Sequence, residues 1–220
     1  MRRCWGAVIE CVRLYVPERH RLLKVVCFAC VAGVAGCASL EPEPIRVLTA
    51  DERKELYDIK AWTMDGRIAV HAEGDAWHAG FSWRHDGKED VLHIAGPLGQ
   101  GAVDIVLRGQ WIQITRSDGT REVSERPEEL LRARLGVAVP LSALRYWVLG
   151  VAEPDYEHVA RYDAVGQLRA LKQQGWDVIY ERYSGEGVWV LPKKMLITKA
   201  DIKLKIVVDQ WHIEHRVKRL

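Results

Sequence analysis

Between residues 62 and 116 large apolar residues recur at every second position. Trp62, Met64, Ile68 and Val70 alternate with Thr63, Asp65, Arg67 and His71. Trp77, Ala79, Phe81 and Trp83 alternate with His78, Ser82 and Arg84. A period of two puts each set on its own side of an extended chain, so 62–72 and 76–85 are predicted to be half-buried strands. Asp86-Gly87 offers a hairpin turn, and 91–95 returns as a third strand. Segments 102–107 and 111–116 continue the meander, and Ser117-Asp118-Gly119 turns it again.

The period then lengthens. Pro127 followed by Glu128 and Glu129 is a favourable helix start for both φ and the macrodipole, and Gly136 can close that helix. A second helix is expected from Pro140, with Leu141, Leu144 and Val148 on one stripe and Gly150 as a stop. Strands resume near 166–173, 176–183, 188–192 and 194–198, and the last runs over 201–211, where Ile202, Leu204, Ile206 and Val208 alternate with lysines. Upstream, Thr49-Ala50-Asp51-Glu52 is a capping-box sequence opening a short helix through about Ala61. Strands, then a helical insert, then strands predicts one curved antiparallel sheet, an unclosed β-barrel, with helices over one opening. Residues 49–214 form the single expected domain.

The first 36 residues read differently. Arg19, His20, Arg21 and Lys24 precede twelve uncharged apolar or small residues, Val25 to Gly36. That order marks a secretory signal, and the run is too short for a spanning helix of about 20 residues. Its end, Val34-Ala35-Gly36-Cys37, resembles the lipobox of bacterial lipoproteins, which implies cleavage before Cys37, S-diacylglycerol and N-acyl lipid on that cysteine, and no other cofactor. Glu10, Tyr15, Pro17 and Glu18 interrupt residues 1–18, so translation is expected to start near Val16. Cys4, Cys11, Cys27 and Cys30 fall upstream of the cut, leaving no disulfide framework or thiolate metal site in the mature chain. Residues 37–48, with Pro42 and Pro44 among acidic residues, read as an extended tether, and Ala38 after the cysteine resembles the outer-membrane sorting pattern. Residues 215–220 form a basic tail.

Removing 1–36 takes six of the 32 basic and two of the 30 acidic residues, leaving 26 against 28, a formal net of −2. The slightly basic whole chain is therefore no argument for nucleic acid. No Gly-x-Ser-x-Gly elbow occurs, and the glycines of 96–101 match neither nucleotide-binding fingerprint. His212-x-x-His215 lacks the glutamate of the metalloprotease spacing and reads as a frayed end, and the remaining histidines are scattered. No catalytic or metal site is expected. Gly96-Pro97-Leu98-Gly99-Gln100 is different, because it sets a leucine among tight-turn residues. Leu98 either faces water or folds back on the sheet.

Taken in order, several segments resemble the LolB family of outer-membrane lipoprotein receptors. They are Trp62-x-x-x-Gly66-Arg67-Ile68-Ala69, Gly96-Pro97-Leu98-Gly99, and Val139-Pro140-Leu141 through Leu144-Arg145-Tyr146-Trp147-Val148-Leu149-Gly150. Gln174-Gly175-Trp176-x-Val178-x-Tyr180, Leu191-Pro192 and Ile202-Lys203-Leu204-Lys205 through Trp211 complete the set. The resemblance implies an incomplete barrel with a helical lid over an apolar cavity. It also implies a periplasm-facing, lipid-anchored protein of the outer membrane that accepts lipoproteins from the carrier LolA and inserts them there. Its partners would then be LolA, lipoprotein acyl chains and outer-membrane phospholipid, with no nucleic acid, and the protein would be a monomeric non-enzyme. Leu98, flanked by Pro97 and Gly99, matches the family's protruding-loop leucine, so the resemblance favours the exposed reading. One-face apolar residues are candidate cavity walls: Trp77, Phe81, Trp83, Ile105, Leu107, Trp147 and Trp176. A lipid-tethered β-domain serving envelope assembly is the alternative function.

Overall fold

The computed structural model describes residues 49–72, 74–185 and 189–214. The signal segment, Cys37, the tether and the basic tail at 215–220 lie outside the described residues, as does Val188.

Eleven strands form one antiparallel sheet: β1 (Trp62–Ala72), β2 (Asp75–His85), β3 (Glu89–Ala95), β4 (Val103–Arg108), β5 (Trp111–Arg116), β6 (Arg121–Ser124), β7 (His158–Tyr162), β8 (Leu168–Gln173), β9 (Trp176–Ser184), β10 (Leu191–Lys199) and β11 (Ile202–Ile213). Their spatial order is β6-β5-β4-β3-β2-β1-β11-β10-β9-β8-β7. Two meanders are thus joined through the β1–β11 pair, and β6 and β7 are left as free edges. The helices α2 (Pro127–Leu135) and α3 (Leu141–Trp147) lie in sequence between those two edges.

The register explains the alternation. Met64 stands opposite Trp83 and Trp211, Trp83 opposite Leu92, and Leu92 opposite Ile105. Across the other half, Ile206 faces Met195, which faces Tyr180. All of these except half-buried Trp211 are buried, so one apolar face runs nearly the width of the sheet. It packs against Leu131, Val137, Val139, Leu141, Leu144 and Trp147 of the helical segment in one continuous core. Gly66 sits at the irregularity between Asp65 and Gly66 in the β1–β11 ladder. A Cβ there would meet the Val207 carbonyl oxygen at 2.3 Å, so only glycine lets the two strands approach this closely.

Contacts from α3 show that the sheet is curled. Arg145 reaches Asp90 on β3 at 3.1 Å, while two residues later Trp147 donates Nε1–H to Gln173 on β8 at 2.8 Å and its carbonyl accepts from the Tyr180 hydroxyl on β9 at 2.9 Å. In a flat sheet β3 and β9 would be five strand spacings apart, about 24 Å, whereas Arg145 and Trp147 are separated by only about 3 Å of helix rise. The sheet must wrap around the helix.

Asp90, fully buried, is the polar centre of that grip. Its Oδ1 accepts from Trp83 Nε1 at 3.0 Å and lies 2.9 Å from His85 Nδ1, while Oδ2 faces Arg145. Two further indole N–H groups have acceptors: Trp77 the Leu135 carbonyl and Trp211 that of Pro192. The Tyr180 phenol, buried against the core, has its pKa pushed well up by desolvation, so it is a neutral donor to Trp147.

Four details differ from the sequence-based expectation. The capping box at Thr49 and Glu52 is present, but the helix it opens, α1 (Ala50–Glu55), gives way to a 3-10 turn at Leu56–Asp58 instead of reaching Ala61. Leu56 and Ile59 are turned into the core there, and Ile59 is already extended. The expected 188–192 and 194–198 strands are one strand, Leu191–Lys199, with register irregularities around Pro192 and Lys194, as a residue without a ladder N–H favours. The edge strands β6 and β7 were not expected at all. Arg121–Ser124 and His158–Tyr162 carry too few large apolar residues for a pattern to register.

Replacing Asp90 with alanine would leave the Arg145 guanidinium without its counter-ion and the Trp83 and His85 ring nitrogens without their shared Oδ1 partner. Asp90→Ala is expected to lower the free energy of unfolding by about 3–5 kcal/mol. Urea titration of the variant beside the parent chain checks this, and an unchanged midpoint would show that the grip contributes nothing.

Candidate functional site

The chain leaves β3 at Ala95 and re-enters the sheet at Val103 through a tight loop. Gly96 N–H donates to Gln100 O at 2.9 Å, Gly99 N–H to Gly96 O at 3.0 Å and Gln100 N–H to Pro97 O at 3.3 Å. Together they close a small cage around Pro97 and Leu98. A Cβ on Gly96 would sit 2.9 Å from the Gln100 oxygen, so the cage depends on glycine there. At its tip Leu98 is 99% exposed and takes φ 59°, ψ 23°, the left-handed region. A leucine in that conformation is strained by about 1–2 kcal/mol. Full exposure means no packing offsets the strain. Of the two readings left open by the turn residues, the outward one is correct: Leu98 faces water, as do its neighbours Pro97 and Gly99.

Behind the loop lies a cavity of about 450 Å³, within the range of small-ligand sites, roughly 300–1,000 Å³. Trp77, Ala79, Ile94, Val103 and Leu135 give it an apolar wall, and Gly96, Gln100 and Gly101 of the loop form part of its rim. The helix side of the mouth is fixed by three interactions. Gly136, in the left-handed conformation, donates its N–H to the Arg132 carbonyl at 3.0 Å and ends α2. Trp77 Nε1 donates to the Leu135 carbonyl at 3.2 Å. Arg134 grips both oxygens of Glu122 on β6 at 2.6 Å each, and that pairing holds the Glu122 carboxyl below the usual carboxylate range. The end of α2 is thereby pinned to β2 and β6 while the loop side stays open.

Among the seven expected cavity walls, Trp77 alone lines this space. Phe81 is half-buried against the core, and Trp83, Ile105, Leu107, Trp147 and Trp176 are buried within it. The reason is position along the strands. Trp83 and Leu107 lie toward the Asp86-Gly87 end, where α3 is drawn onto β3 by Asp90, and Trp147 and Trp176 pack on each other under the opposite half of the sheet. Ile94 and Val103 were legible in principle, since Ile94 pairs with Phe81, Val103 pairs with Ile94, and the two flank the Leu98 loop. Leu135 was not, because its place depends on how α2 docks. A second hollow, near Asp155, Glu157, His158 and Lys172, is wider and lined with charge.

The cavity presents a wall for an apolar chain, with Asp75, His78 and Arg134 also in its lining. Among the described residues no group of three His, Cys, Asp or Glu side chains is placed to hold a metal, and no helix is long and apolar enough to cross a membrane.

Exchanging Leu98 for asparagine, which tolerates the left-handed region, is expected to raise the unfolding free energy by about 0.5–1 kcal/mol. Chemical denaturation measures this. A loss of more than about 1 kcal/mol would mean that the leucine is packed after all.

Residues 60–211 match the family model described as outer membrane lipoprotein LolB. The outer-membrane lipoprotein LolB of Nitrosococcus oceani is 32% identical over 185 residues, which cover 82% of this chain and 92% of that one. The protein of the same name from Nitrosomonas europaea is 30% identical over 200 residues, covering 86% and 94%. Among solved structures, a LolA superfamily protein of Nitrosomonas europaea superposes with a TM-score of 0.47 at 8% identity, covering 77% of this chain and 94% of the other.

Proposed function

The chain belongs to the outer membrane lipoprotein LolB family, and from that premise we propose that it accepts lipoproteins from the periplasmic carrier LolA and inserts them into the outer membrane. The observation that carries this reading is the pairing of a fully exposed, strained leucine with the rim of an apolar cavity. A single cavity would be a binding site and a single exposed leucine a surface accident. Together they form a receiving space and a tip that can enter the bilayer beside it.

No bond need form or break in the transfer. Each acyl methylene withdrawn from water is worth about 0.8 kcal/mol, so a free lipoprotein crossing the periplasm would face a prohibitive barrier. Contact between the carrier's mouth and this one keeps the chains covered. In this reading α2 and α3 act as a lid whose α2 end is held beside Trp77, so that chains enter from the loop side of the mouth. Lipid on Cys37 holds a monomeric domain on the periplasmic side of the outer membrane, and the transfer activity resides in residues 49–214.

Leu98→Glu tests the tip. The substitution removes about 1.5–3 kcal/mol of favourable burial from each insertion event, which predicts a roughly 10- to 100-fold slower appearance of cargo in the membrane. Cargo should still leave LolA and accumulate on the variant. The assay mixes the protein with cargo-loaded LolA and outer-membrane vesicles and follows cargo through fractionation. Insertion at the parental rate would refute a membrane role for the loop.

A further inference from the structure

The sheet has a second face, and around the Leu98 loop that face is unusual. Rows of cross-strand neighbours run outward-facing through His78, Ala69, Lys205 and Leu196, and through Ala76, His71 and Lys203. A third runs through Ala95, Gly80, Arg67 and Val207. Ala69, Ala76 and Gly80 expose little beyond backbone and methyl groups, so the surface is shallow and apolar in the middle. It forms two adjoining grooves of about 400 and 390 Å³ that share Ala69, His78 and Lys205. The second runs up to Gly96 and Pro97, directly beneath Leu98.

The charged residues lining these grooves are all basic. Arg67, His71, His78, Lys203 and Lys205 are exposed along their edges, and no acidic residue is among those lining either groove. Two nearby carboxylates are engaged: Asp209 pairs with Arg67 at 2.8 Å, and Glu181 is bonded to Lys194 while also feeling the charge of Lys205. A basic patch on a domain whose mature net charge is slightly negative is a local feature, unrelated to overall composition.

We propose that this outer face, centred on Lys203 and Lys205 and bordered by the Leu98 loop, docks on a bilayer surface bearing anionic phospholipid headgroups. Charge complementarity selects the occupant, since cations near such a surface are each attracted by a modest, additive amount. Trp77 is the one aromatic residue lining either groove, and the floor of Ala69, Ala76 and Gly80 lets headgroups come close to the strands. The proposal deepens the membrane reading of Leu98 by giving the tip an approach direction: the face lies down on headgroups while the leucine enters beside it.

The test is lysine footprinting of the full chain reconstituted in vesicles of phosphatidylethanolamine with phosphatidylglycerol, or of phosphatidylcholine alone. Labelling by an amine-reactive reagent is read by mass spectrometry. In the anionic vesicles Lys203 and Lys205 should be modified about fivefold more slowly than in phosphatidylcholine. High salt should abolish the difference, and Lys88, at the far end of β2, should label equally in both. Equal labelling of Lys203 and Lys205 in the two vesicles would overturn the proposal. So would protection that appears only when LolA is added, which would assign the face to a protein. Repeating the footprint with Leu98→Glu separates the two readings. Retained lysine protection with normal cargo delivery would leave the face standing and the tip refuted, whereas lost composition dependence in the parent chain removes the face whatever the tip does.

Discussion

Everything in this fold follows from one requirement: a wide sheet with a single apolar face must cover that face without closing on itself. Eleven strands arranged as two meanders leave β6 and β7 as edges, and the chain joins those edges through helices instead of hydrogen bonds. Because the helices carry Leu131, Leu141, Leu144 and Trp147 toward the sheet, burial of the face draws both halves around them. The buried Asp90–Arg145 contact and the Trp147–Gln173 bond fix where the grip is tight. The opposite end, around Trp77 and the α2 terminus, is where the packing leaves space.

That asymmetry gives the domain a firm end and an open one. At the firm end, Trp62 packs edge to face against Trp83 and Trp211, with ring centroids 5.1 and 5.5 Å away, and the Trp83 indole N–H finds a buried acceptor in Asp90. At the open end the chain holds Leu98 in a conformation it would not choose, caged by three backbone hydrogen bonds. Strain of this kind persists only where surrounding structure imposes it and tends to gather at working sites. The outward tip, the apolar cavity behind it and the basic outer face beside it all meet at this end.

Much of the sheet was legible from alternation alone. Trp62–Ala72 and Trp111–Arg116 were bounded correctly because Trp62, Met64, Ile68 and Val70, and then Ile112 and Ile114, alternate with polar residues. The helix from Pro127 to the Gly136 cap was legible from its terminal residues. The edge strands were not, since Arg121–Ser124 and His158–Tyr162 owe their pairing to neighbours and carry little apolar signal of their own. The candidate site divided along the same line. Leu98 stood out by its turn context, but alternation could not tell Trp77, which lines the cavity, from Trp83, which shares its face and lies six residues along the same strand in the packed core. That distinction depends on where α2 and α3 press against the sheet, which no local pattern records.

The central claim is that acyl chains of a transferred lipoprotein enter the cavity beside the Leu98 loop. The most direct measurement is photolabelling. Cargo lipoprotein bearing a photoreactive acyl chain is presented on LolA to the full chain, irradiated, and the labelled residues are identified by mass spectrometry. The account predicts labels concentrated on Trp77, Ile94, Val103 and Leu135, the apolar wall of that cavity. Labels gathered instead around Asp155–Val159 and Lys172, or no labelling above that of an unrelated protein, would contradict it.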